Sequence, residues 1–278
     1  MTQTVPAPVS LAERPSGPCG HPGFPDTVRS EWTKMRTLRS TPITLAVTAF
    51  IVIGLSALIT LAVVANPNHS GSDARRHPLT IIQSGWGLGL LAFEVLGVLV
   101  VTNEYSSGLI AETLLATPKR LRVLLAKVLV FVVLVFCVAE VMSFVNFFVG
   151  RAVISAYPPF PNVALTDHNV LRAVIGEGID AALVGLIGLA IGAILRHTAG
   201  AITASVAVLF VLPLVLMALP TSWEQPVEEY WPTEAGSQLE QVTRQAHALT
   251  AWWGTGDLVL FVLVLLVGAG YALVKRDA

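Results

Sequence analysis

Six apolar runs, at 43–64, 81–101, 128–149, 179–195, 199–219 and 258–274, alternate with short polar stretches along the chain. A helix rises about 1.5 Å per residue and the hydrocarbon layer is about 30 Å thick, so about 20 residues cross it. The fourth and sixth runs are 17 residues long and draw on their flanks. The expected spans are then about 43–64, 81–101, 123–149, 173–195, 199–219 and 257–274. None of the runs alternates with period two, which excludes membrane strands. The pattern predicts an all-α integral membrane protein with six transmembrane helices in residues 42–278. Gly185, Gly188 and Gly192, and also Gly85 and Gly89, supply small faces for close helix packing.

The segments outside the runs differ in kind. Residues 1–26 hold six prolines and no continuous apolar core, the pattern of a disordered tail. Over 27–41, Val28, Trp32, Met35 and Leu38 share one helical face, opposite Arg29, Lys34, Arg36 and Arg39. That predicts an amphipathic helix lying on membrane lipid, with Trp32, Lys34, Arg36 and Arg39 as its interfacial residues. In the long loop 220–256, Leu239, Val242, Ala246, Leu249 and Trp253 follow a helical spacing and predict a surface helix. Trp252 and Trp253 fit an aromatic belt before the last span.

Composition agrees with a membrane class: 54% of residues are hydrophobic and 13% charged, with a mean hydropathy of +0.71, against about 25% charged in soluble domains. The basic residues then orient the chain. Twelve of the seventeen Lys and Arg fall on the side of the two termini, which places both termini in the cytoplasm and 220–256 outside. A formal net charge of −1 implies no nucleic-acid partner. The chain has no GxxxxGK[ST] phosphate loop, no HExxH and no Cys/His cluster, so no ATP, metal or catalytic site is expected on it. Cys19 and Cys137 are placed too differently to form a disulfide.

Between the second and third runs lies a polar island, 102–122, from Asn103-Glu104-Tyr105-Ser106-Ser107-Gly108 through Glu112 to Pro118-Lys119-Arg120, with Lys127 just beyond. Glu104 to Leu115 is expected to form a short helix that Pro118 stops, a lever joined to two spans. Together with Arg29-Ser30-Glu31-Trp32-Thr33-Lys34 before the first span, this island resembles the corresponding parts of actinobacterial ABC-2-type permeases. Six spans and a long loop before the last one agree with that family. The resemblance implies a non-enzymatic permease subunit of an ATP-binding cassette exporter in the cytoplasmic membrane, moving a hydrophobic or amphipathic substrate. Its implied partners are a separate ATPase subunit carrying ATP and Mg, and a second permease copy, identical or not. Glu104, Tyr105, Gly108, Glu112, Pro118, Lys119 and Arg120 would couple to the ATPase.

Two carboxylates stand inside the runs, Glu94 and Glu140. A charge at the bilayer centre costs at least about 3 kcal/mol on insertion scales, so they are expected to face the bundle interior. They could line a substrate pathway, carry protons or join helices by hydrogen bonds. A proton-coupled carrier using Glu94 and Glu140 is therefore an alternative, as is a membrane anchor or sensor without transport. Glu177 and Asp180 are expected to be ordinary residues at the outer end of the fourth span.

Overall fold

The structure is a computed structural model, and it describes residues 23–37, 40–66, 77–109, 119–157, 160–161, 163–216, 230–242 and 249–275. Among these residues every regular element is helical. They are α1 (Phe24–Thr37), α2 (Ser40–Ala65), α3 (Pro78–Ile82), α4 (Trp86–Ser106), α5 (Arg120–Ser155), α6 (His168–Leu195), α7 (Thr198–Val206), α8 (Leu212–Leu216), α9 (Pro232–Ser237) and α10 (Ala251–Lys275). A π-helical turn, Ala207–Val211, joins α7 to α8.

Six helical stretches are long and apolar enough to cross a membrane: Thr41–Ala65, Trp86–Ser106, Arg120–Ser155, His168–Leu195, Thr198–Val215 and Ala251–Lys275. The outward faces carry large apolar side chains such as Phe50, Leu58, Val141, Leu260, Val264 and Val267. Lipid solvates such a surface, whereas water would not. The molecule is a multi-pass membrane protein.

α6 is the central helix, with 72% of its apolar window buried against 50% or less in the others. Glycine makes this possible. A Cβ on Gly97 of α4 would fall on the Gly185 carbonyl oxygen of α6, and one on Gly188 would fall on the Glu94 carbonyl oxygen. The two backbones are thus nearly in contact, and Phe93, Phe131, Val184, Ile187 and Leu189 close around the seam. Gly85 and Gly89 pack in the same manner onto Val52 and Ser56 of α2.

The second apolar run is broken. α3 ends at Ile82, and α4 starts only at Trp86. Side chains from neighbouring helices satisfy the backbone groups this break frees, as a low-dielectric setting demands. Asn146 Nδ2 donates to the Ile82 carbonyl at 2.9 Å, Thr60 Oγ1 to the Ile81 carbonyl at 3.4 Å, and the Gly85 amide to Ser56 Oγ at 3.0 Å.

A second irregularity sits before Pro213, which has no N–H to offer the carbonyl four residues back, that of Leu209. The chain relaxes into the π turn there, and Thr233 Oγ1 of α9 donates to the Leu209 carbonyl at 3.3 Å. α9 therefore does not stand off in solvent. It folds back into the bundle, with Pro232, Ala235 and Gly236 buried and Gly254 of α10 packed on the Ala235 carbonyl. The surface helix expected to start at Leu239 is absent from 238–242. Residues 238–240 form a turn in which Leu239 is buried against Gly176 of α6. Ala246 lies outside the described residues, while Trp252 and Trp253 are fully outward in the first turn of α10.

Candidate functional site

Polar side chains collect at two levels. At the end of the bundle that carries α1, α4 runs continuously through Glu104 to Ser106 instead of starting a separate lever there. Ser106 and Ser107 hydroxyls donate to the Asn103 carbonyl at 3.1 and 2.7 Å, and Gly108 takes φ +74°. Left-handed backbone of this kind ends a helix, and glycine adopts it without a Cβ penalty. The expected helix from Glu104 to Leu115 is therefore interrupted at 107–108. Glu112 and Pro118 lie outside the described residues, as does Arg39 of the amphipathic segment.

Glu104 turns inward and is 7% exposed. Lys127 of α5 donates to Glu104 Oε1 at 2.8 Å and to Glu31 Oε2 of α1 at 2.7 Å. Lys34 closes the ring, donating to Glu31 Oε1 at 2.7 Å and to Glu104 Oε1 at 3.2 Å. Four charges from three helices thus neutralise one another in a nearly dry setting. The inward face of α1 is consequently Thr27, Glu31 and Met35, and Trp32 and Arg36 point out. Of the expected interfacial residues, Trp32 and Arg36 are free to meet lipid, whereas Lys34 is engaged within the protein.

Around this quartet, Tyr105 lies under the Arg196 guanidinium, 5.1 Å from ring centroid to carbon. Arg196 and Arg120 donate to the Ala272 and Leu273 carbonyls at the end of α10, at 3.0 and 2.9 Å. Cations there complement the negative pole of that helix. Lys119 and Gly108 are exposed, and a Cβ on Gly108 would meet open space.

Burial pushes the Glu31 carboxyl up, but the ammonium groups of Lys127 and Lys34 outweigh it and hold the pKa below the ordinary glutamate value. A depressed carboxyl contributes stability that is present above its ordinary pKa and lost as pH falls through its folded value. Burial pulls Lys34 down, yet Glu31 and Glu104 raise it overall, so its contribution is lost only as pH rises through a value above that of free lysine. Docking of α1 is expected to hold across neutral pH and to loosen in acid. Modification of a cysteine at Met35, 4% exposed, should stay slow at neutral pH and accelerate in acid relative to one at exposed Trp32; equal acceleration at both would refute the sign.

Toward the opposite end the buried charge is all of one sign. Glu94 is fully buried, faces Ser205 of α7, and neither carboxylate oxygen has a hydrogen-bond donor. Glu140 is half-buried against Gly178, with Oε2 unpartnered. Glu177 and Asp180 are 1% and 2% exposed. That corrects their reading as ordinary outer-end residues, and the cause is the return of α9 and the 238–242 turn across α6. Glu240 from that turn completes the cluster. Gln83 and Trp86 stand beside it with N–H groups that have no acceptor, while Ser143 donates its hydroxyl to the Val174 carbonyl at 2.8 Å. Among the described residues, no group of His, Cys, Asp and Glu is arranged to hold a metal ion.

The sequence pointed to Glu94 and Glu140 by their place inside apolar runs. It missed the pairing of Glu31 with Lys127 and the approach of half-buried Glu240 to α6, because both depend on contacts far apart in the chain. No protein-family model matches the chain, and no curated protein matches it.

Proposed function

We propose that this chain is the permease subunit of an ABC-2-type exporter, working in the cytoplasmic membrane with a separate ATPase subunit and a second permease copy. The carrying observation is the charge quartet of Glu31, Lys34, Glu104 and Lys127. It ties α1, α4 and α5 together where the polar island leaves the bundle. Force applied to residues 102–122 would pass to three helices as one body, which is what a separate motor requires. In this reading Glu104 is a positioning residue. Exposed Gly108 and Lys119 and the free face of α1 form the docking surface, to which the family resemblance adds Glu112 and Pro118. Tyr105 and Arg120 brace that surface against α6 and α10. The ATPase would bring ATP and Mg, and the cargo would be hydrophobic or amphipathic.

A second reading, a proton-coupled carrier, draws on the unpartnered carboxylates Glu94 and Glu140. One experiment separates the two. In inverted vesicles containing the chain and the ATPase encoded nearest to it, export of fluorescent amphipathic probes should require ATP and survive collapse of the proton gradient. A crosslinker at Lys119→Cys should capture the ATPase. Transport driven by the gradient without ATP, with no crosslink, would favour the carrier and end the exporter reading.

A further inference from the structure

The turn at 238–242 seals the acidic cluster with a carboxyl of its own. Glu240 comes within hydrogen-bonding reach of Asp180, whose two oxygens, like Glu240 Oε1, have no donor. Two acceptors face each other there, and ionised carboxylates so placed repel. Among the described residues, the other groups around the pair do not supply a counter-charge. From α6, Glu177 adds a further carboxylate, and Arg172 is turned to the backbone, donating to the Gln241 carbonyl at 2.6 Å. Glu234 of α9 faces Asp180, and Glu140 of α5 faces Glu177. Trp86, 2% exposed, points its otherwise unpartnered indole N–H toward Glu240. From α10, Leu258 packs against Gly236 and Gly254 against the Ala235 carbonyl.

What neutralises the pair must be small. A Cβ on Gly236 would fall on Asp180 Oδ1, and Leu239 and Ala235 are buried alongside, so Asp180 is closely packed. A proton needs no room, and one proton turns two repelling acceptors into a hydrogen-bonded pair.

We propose that Asp180 and Glu240 form a proton-binding site that latches the returning segment 230–242 onto α6, and that loss of the proton releases it. The latch is independent of what drives transport. Burial, with Asp180 and Glu177 beside it, raises Glu240 well above the ordinary glutamate value. A raised carboxyl favours the closed state at low pH, and that advantage declines as pH climbs from the ordinary value through the raised one. The latch is therefore closed in acid and opens as the solution becomes alkaline.

The test uses the full chain, lacking Cys19 and Cys137, in lipid nanodiscs where both faces meet the buffer. A cysteine replaces Gln238, which is 7% exposed, and a second protein carries one at Tyr230, 58% exposed, as reference. The ratio of their labelling rates cancels the intrinsic pH dependence of the thiol. That ratio should rise at least about tenfold between pH 5 and pH 9, which corresponds to about 1.4 kcal/mol. In Glu240→Gln and in Asp180→Asn an amide supplies the donor permanently, so the ratio should stay low at every pH. A ratio flat with pH in the parent protein overturns the assignment. So does a rise that persists in either variant, or labelling that is fast throughout in both.

Discussion

Lys127→Ala is expected to lower the free energy of unfolding by about 3–5 kcal/mol, the usual cost of stripping one partner from a buried ion pair. The Lys127 side chain is 6% exposed and serves two carboxylates, Glu31 and Glu104. Without it, two anions from different helices share one remaining ammonium, Lys34, which is 33% exposed. Lys34→Ala removes a partly solvated cation and leaves Lys127 in place, so it should cost about 1 kcal/mol or less. Combining Lys127→Ala with Glu31→Gln should recover part of the loss, since one of the stranded anions is removed. The measurement is SDS-induced unfolding of the purified protein in bicelles. Equal costs for the two lysines would show that burial does not set the energetics of the quartet.

The six crossing helices were legible because length and hydropathy are local properties, and an apolar run of sufficient length has no other stable form in a bilayer. The glycine faces were legible for a similar reason: spacing along one helix decides which positions coincide. Breaks within runs were harder to see. The run that starts at Ile81 is interrupted only by Gln83-Ser84-Gly85, and the helix restarts at Trp86 with Ser56, Thr60 and Asn146 placed to satisfy the freed backbone. Those partners, two donors and one acceptor, come from α2 and α5, far from 81–86 in the chain.

Charges followed the same division. Helical periodicity put Lys34 on the polar face of α1, but it could not say that the same face would find Glu104 seventy residues away. Glu177 and Asp180 stand near the start of a span, where local reasoning assigns solvent. They are buried because a segment more than fifty residues later returns over them, held by the Thr233 hydroxyl on a carbonyl that Pro213 leaves without its helical donor. The signal available in the sequence was Pro213 itself, inside an apolar run, followed by a loop too long for a turn.

Gly97→Val and Gly188→Val should each disrupt the α4–α6 seam, costing the upper end of the roughly 1–3 kcal/mol typical of overpacking, or more. The reason is what the new atoms meet. At Gly97 a Cβ lands on the Gly185 carbonyl oxygen and lies 2.9 Å from the Leu189 amide nitrogen, both backbone atoms that cannot swing aside. At Gly188 it lands on the Glu94 carbonyl. Relief requires the two helices to separate, which would open the surroundings of Glu94, a carboxylate that is now fully buried. Gly54 of α2 is the control, since a Cβ there meets nothing within 4 Å. Gly54→Val should keep parent stability, and its β-branched side chain carries little penalty on a lipid-facing helix. In bicelle unfolding the seam variants should fall well below Gly54→Val, with Gly192→Val intermediate, because its nearest neighbour, the Val98 carbonyl oxygen, is 3.1 Å away. All four variants unfolding alike would mean that α4 and α6 do not approach at backbone distance, and the placement of Glu94 would have to be redrawn with them.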